Sequence, residues 1–171
     1  ERYLERLESI PLPNYVPGEL DNKPHYQQVD HEGAYYNKTL HPFTGMSDED
    51  HRMVTAAYWA MVDLIDVQVG RMLDALERTG QLENTLVIFM SDHGEMLGDH
   101  GLYLKGPYFY EPLIRVPLIM RLPGVIEAER ESTALVELMD IAPTLLDAAG
   151  LDAAPGMQGK SLWPLLTDPS L

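Results

Sequence analysis

The sequence contains no cysteine. Disulfides, thiolate zinc sites, iron–sulfur clusters and a cysteine nucleophile are therefore excluded within these residues. Positive charge is scarce: 12 Lys and Arg stand against 27 Asp and Glu, a formal net charge of −15. A nucleic-acid backbone needs a basic patch to bind it, so this balance argues against nucleic acid as the main partner. Attraction of an anionic substrate likewise needs a bound cation or local basic groups to reverse the field. No apolar run approaches the roughly 20 residues that span a bilayer. A Ser-centred nucleophile elbow, a P-loop and a dinucleotide fingerprint are all missing.

What is present is enough for a core. Of 171 residues, 45% are hydrophobic and 23% charged, which suits one domain or one piece of a larger one and rules out disorder throughout. The opening Glu1-Arg2-Tyr3-Leu4 starts in mid-pattern, and the chain is expected to be an internal or truncated piece. Targeting signals would lie outside it, leaving the compartment open between periplasmic or secreted and cytoplasmic.

Residues 1–47 are broken by Pro11, Pro13, Pro17-Gly18, Pro24 and Pro42, with Tyr15, Tyr26, Tyr35, Tyr36 and His25, His31, His41 among them. This stretch reads as a short helix at 2–9 followed by an extended Pro/Tyr-rich excursion over a surface. Its histidines reach a site only if the excursion folds over one. Ser47 then caps a helix with acids in its first turn, running to about Thr79 where Gly80 stops it. Ile65, Val69, Met72, Leu73 and Leu76 share one face, and Met53 to Leu64 is apolar on more than one side, so the helix is expected to pack between layers. Leu86-Val87-Ile88-Phe89-Met90 reads as a strand buried on both faces, and Arg115 to Met120 as a second strand, at an edge or bulge because of Pro117. Leu135 to Leu138 is a third candidate. Asp140 is expected to cap a helix to Ala149, ended by Gly150. The rhythm of these elements is that of an α/β domain.

The chemistry concentrates after the first strand, in Ser91-Asp92-His93-Gly94-Glu95 and Asp99-His100-Gly101. Ligands of open α/β sheets bind just beyond the carboxyl ends of strands. Asp92 and His93 stand there and can both face a metal if the chain turns sharply at Gly94. Two neighbouring ligands are too few, so others must come from elsewhere. His100 is read as substrate-facing or supporting, with a glycine-held turn as the alternative, and Glu95 as solvated or supporting. Lys105 lies in an apolar, aromatic stretch, where it either snorkels or offers a compact charge to an anionic ester oxygen. Glu111 and Arg115, spaced i,i+4, are expected to pair and fix the loop.

These strings, from Asn84-Thr85-Leu86-Val87-Ile88-Phe89 through Ser91-Asp92-His93-Gly94-Glu95 and Leu97-Gly98-Asp99-His100-Gly101-Leu102 to Lys105, resemble the sulfatase family of the alkaline phosphatase superfamily. Flanking matches run from Tyr58 to Leu73, through Arg115-Val116-Pro117-Leu118, to Asp140-Ile141-Ala142-Pro143-Thr144-Leu145-Leu146 and Gly159-Lys160-Ser161-Leu162, so that the resemblance covers about residues 48–166. It implies an alkaline-phosphatase-like sandwich, with a mainly parallel or mixed sheet flanked by helices, of which residues 48–171 would be a C-terminal part. It implies hydrolysis of sulfate esters by a formylglycine nucleophile, with a divalent cation, most often calcium with magnesium or manganese as alternatives. Asp92 and His93 match two of the metal ligands, and Lys105 the lysine that binds the sulfate; Lys105 and His100 are taken as the catalytic and substrate-binding candidates. The formylglycine motif and the paired early aspartates do not occur in this sequence. The chain alone is therefore expected to be inactive and to bind a cation weakly. It is also expected to self-associate through apolar surface left uncovered. The substrate would be a sulfate-ester small molecule or glycan. A phosphonate monoester or phosphodiester hydrolase of the same superfamily, or a non-catalytic α/β interaction module, are the rival readings.

Overall fold

The computed structural model describes residues 2–168. Its regular elements, in chain order, are α1 (His25–His31), α2 (Asp48–Arg78), β1 (Val87–Met90), α3 (Glu111–Ile114), β2 (Leu118–Arg121), α4 (Ile141–Ala148) and α5 (Trp163–Thr167), with 3-10 turns between them. The chain forms two compact units: Glu1–Ala75 with His93–Pro117, and Leu76–Asp92 with Leu118–Leu171.

In the first unit the early residues do more than cross a surface. The expected helix at 2–9 is a 3-10 turn, Leu4–Ser9, and the stretch after it supplies core. Leu20 joins Met96, Leu102, Tyr108 and Leu113 in one buried cluster, with Tyr26 and Tyr110 against it. Each such aliphatic side chain contributes on the order of 1.5–3 kcal/mol on burial. Leu20 and Tyr26 are therefore core material, which an excursion over a surface would leave wet, whereas Leu12, Val16, Tyr35 and Tyr36 are exposed as that reading expects.

The capping of α2 is as expected. Asp50 N donates to Ser47 Oγ at 3.2 Å, while Ser47 N and Oγ donate to Asp50 Oδ2 at 2.8 and 2.7 Å. This reciprocal pair satisfies donors that a helix start leaves open. At the other end Gly80 takes φ +68°, and Gln81 N reaches back to Leu76 O at 2.9 Å. The expected packing of α2 between layers is not what is found. Its buried residues are His51, Thr55 and Ala56, all early in the helix. Leu64, Ile65, Val67 and Met72 are exposed, Ile65 at 51%.

In the second unit β1 and β2 pair antiparallel, with Val87 opposite Arg121 and Met90 opposite Leu118. The sheet among the described residues is this two-stranded pair, rather than a parallel one. Nor is β1 buried on both faces, since Phe89 is 38% exposed. The third strand expected at 135–138 does not form: Leu135 is fully exposed and a 3-10 turn runs Leu138–Asp140. A local competitor explains this. The Glu137 N–H, which a strand would offer sideways, is taken by Asp140 Oδ2 at 2.9 Å.

Asp140 does not cap α4 with its side chain. It is buried and accepts from Glu137 N and, at 2.7 Å, from Lys160 N. Thr144, fully buried, donates to Asp140 O at 2.6 Å and accepts from Leu162 N at 2.8 Å. Gly159 lies so close to the Met139 carbonyl that a Cβ would overlap it. The segments around 140–146 and 159–162, both parts of the sequence resemblance, thus hold each other. The two backbone donors also keep the Asp140 carboxyl below its ordinary range. Its stabilisation is then complete above about pH 4 and is lost as pH falls through the lowered folded-state value. Asp140→Ala is expected to cost about 2 kcal/mol at pH 7 by leaving two N–H groups unpaired. Urea unfolding checks this, and the gap between parent and Asp140→Asn narrows below pH 4.

Candidate active site

Gly94 follows His93 without a left-handed turn, because its φ is not among the positive ones. The chain bends at Asp92, and glycine at 94 is needed for close approach rather than for a left-handed backbone, since a Cβ would overlap the Pro112 carbonyl oxygen. Gly94 N donates to Leu113 O at 2.8 Å and Glu95 N to Pro112 O at 3.2 Å. These bonds lay residues 94–95 alongside α3.

His93 Nδ1 lies 2.7 Å from Gly94 O. A carbonyl only accepts, so the proton is assigned to Nδ1 and the lone pair to Nε2. Facing that lone pair at 2.7 Å is Lys105 Nζ. The second face of the ring system is thus set for positive charge, which is the tautomer a metal ligand at Nε2 requires. Lys105 is exposed and Asp92 is exposed at the bend after β1. Among the described residues no group of three or more His, Asp or Glu is placed to hold a metal ion. His93, protonated at Nδ1, has the tautomer in which Nε2 is the acceptor.

The structure brings His93 and Lys105 together and gives His100 other neighbours. His100 takes φ +54°, stacks on Tyr110 at 4.2 Å between centroids, and reaches Glu19 Oε2 through Nδ1 at 3.0 Å. Glu19 is held below the ordinary carboxyl range: burial opposes ionisation, but the His100 and Val16 hydrogen bonds outweigh it. Asn14 clasps the same loop, donating through N to Asp99 Oδ1 at 2.7 Å and accepting from His100 N at 2.8 Å. Early residues do therefore reach this motif, through Asn14 and Glu19. His31 joins them, with Nδ1 2.7 Å from Gly101 O. His51 is buried against Tyr103, Nδ1 to hydroxyl 2.6 Å, and burial keeps its imidazole below its usual range. Both of these histidines have structural partners.

Of the two readings of Glu95, solvated or supporting, the structure shows the supporting one. Its Oε1 accepts from Leu104 N at 2.6 Å and Leu97 N at 3.2 Å. It thereby fixes the residue before Lys105. No local pattern advertises this, because the partner is nine residues on. The Glu111–Arg115 pair forms as expected, at 3.7 Å, but with both side chains mostly in solvent it adds little. A shallow cavity of about 400 Å³ in the second unit, lined by Val125, Glu127, Arg130 and Leu166 among others, contains none of these candidates.

A family model described as Sulfatase matches residues 22–151. The chain is 43% identical over 109 residues to an N-acetylglucosamine-6-O-sulfatase of Bacteroides thetaiotaomicron, covering 64% of this chain and 19% of that protein. It is 35% identical over 149 residues to a choline-sulfatase of Rhizobium meliloti, covering 85% and 27% respectively. Among solved structures it is similar to a phosphonate monoester hydrolase from Silicibacter pomeroyi, with TM-score 0.82 and 30% identity over 94% of this chain and 32% of that one. The chain thus spans about a fifth to a third of the length of these relatives.

Proposed function

Because this chain belongs to the sulfatase family, we propose that it is the C-terminal part of the catalytic fold of a metal-dependent sulfuric ester hydrolase. The observation that carries the reading is the ammonium of Lys105 set 2.7 Å from His93 Nε2. Lys105 would bind an oxygen of the ester and stabilise the charge that grows there. Asp92 and His93 would hold the divalent cation, with calcium favoured, and the bound ion would polarise the ester from a second side. His100, backed by Glu19, would face the bound substrate. The remaining ligands and the formylglycine nucleophile would come from outside these 171 residues, so the isolated chain would not turn over. The apolar faces of α2 and β1 would be covered by that same remainder.

The likeness to a phosphonate monoester hydrolase favours a second reading, in which the same lysine and cation serve a phosphonate monoester. Relative kcat/KM of the whole protein for an aryl sulfate and an aryl phosphonate monoester separates them. A preference of about tenfold or more for the sulfate is expected. The opposite preference moves the assignment to the second reading. Hydrolysis of neither ester, with cation supplied, leaves the non-catalytic module.

A further inference from the structure

The loop that carries Lys105 is gripped by α1. Tyr26 Oη donates to Pro107 O at 3.1 Å, and Tyr110 Oη donates to Gln27 Oε1 at 3.0 Å. Between them, the Tyr108 hydroxyl donates to Asp30 Oδ2. Residues 26, 27 and 30 are spaced so that they meet on one side of a helix. The grip is buried: Tyr108 is 4% exposed, Asp30 5% and Gln27 6%. Burial first, and then the Asp30 carboxylate, hold the Tyr108 hydroxyl far above its ordinary range, so it stays a donor.

Packing alone does not call for such a pair. A buried carboxylate costs desolvation that a leucine in its place would not. Among the described residues Asp30 forms no ion pair, and it accepts from the Tyr108 hydroxyl and from Tyr36 N, the latter at 3.2 Å. Polar pairs of this kind give direction, because they satisfy their bonds in only one arrangement. What they direct lies three residues before Tyr108. The Tyr108 ring rests on Gly106, where a Cβ would come within 2.5 Å of Cε2. On the other side Glu95 holds Leu104 N. Lys105 is thus bracketed on both sides of its own backbone.

We infer that Asp30 and Tyr108 are positioning residues for Lys105, setting the point from which its ammonium reaches an anionic ester. The inference rests on the reading of Lys105 as the group that binds the ester. A lysine has a long, flexible stem, so its charge is placed only as well as its backbone origin. Misplacement by about 1 Å costs up to roughly 10²-fold in rate.

A double-mutant cycle on the whole protein tests this, with kcat/KM for an aryl sulfate or phosphonate monoester and the thermal midpoint as readouts. Tyr108→Phe is expected to lower kcat/KM about tenfold in the parent and less than about twofold in a Lys105→Ala background, while lowering the midpoint equally in both. Asp30→Asn, which keeps an acceptor for the hydroxyl, should lose less than Asp30→Leu. If Tyr108→Phe does not fold, Gln27→Met takes its place in the cycle. Equal fold-losses in both backgrounds, or no loss in the parent, overturn the positioning role and leave that of Lys105 intact. Unchanged kcat/KM in Lys105→Ala itself overturns the reading beneath it.

Discussion

On the proposed function, Lys105→Ala is expected to lower kcat/KM of the whole protein for an aryl sulfate by about 10³-fold, with little change in thermal midpoint. A preorganised group that meets charge growing in the transition state accounts for roughly 10²–10³-fold each, or about 3–4 kcal/mol. The ammonium is exposed and its described partner is a neutral imidazole nitrogen, so little folding energy rests on it. Lys105→Arg keeps the charge but spreads it over a planar fork, and should recover only part of the loss. Steady-state kinetics beside calorimetry separate rate from stability. If Lys105→Ala unfolds in parallel with its loss of rate, the lysine is a structural group.

On the same proposal, His93→Ala, and with it Asp92→Ala, is expected to weaken the apparent affinity for a divalent cation by about 10²-fold or more, since changes even one step removed from a metal cost 10–100-fold. Activity regained by titrating calcium into chelator-treated protein gives the midpoint. Loss of rate at saturating cation, with the midpoint unmoved, would take His93 out of the metal shell and leave it as a partner of Lys105. The tautomer is the one the metal role requires: Gly94 O at 2.7 Å holds the Nδ1 proton, so Nε2, which faces Lys105, is the acceptor.

Much of the candidate motif is legible from neighbouring residues. Asp92 and His93 stand out because they directly follow a short apolar strand, and Lys105 because strand, acid, imidazole and lysine fall within twenty residues of one another. Ser47 and Asp50 were legible for a similar reason, as was Gly80: caps and turns are closed by bonds spanning a few residues. The failures were also local in origin. An apolar run at 135–138 resembles a strand, but a strand exists only by pairing, and Asp140 had already taken one of its donors. The run at 86–90 looked doubly buried because burial was inferred from composition, whereas it depends on what else packs nearby.

By itself, then, the amino-acid order determined the helix ends, the strand that leads into the motif, and the residue types that can meet a cation and an anionic ester. Only the tertiary structure decided that Glu95 braces Leu104, that Glu19 and Tyr110 hold His100, and that Asp30 grips Tyr108 across 78 positions of chain. The reason is physical. A cap or turn recovers its ordering entropy within the same few residues, whereas a buried polar pair far apart in sequence gains its bond only once the intervening chain has closed around a shared apolar core.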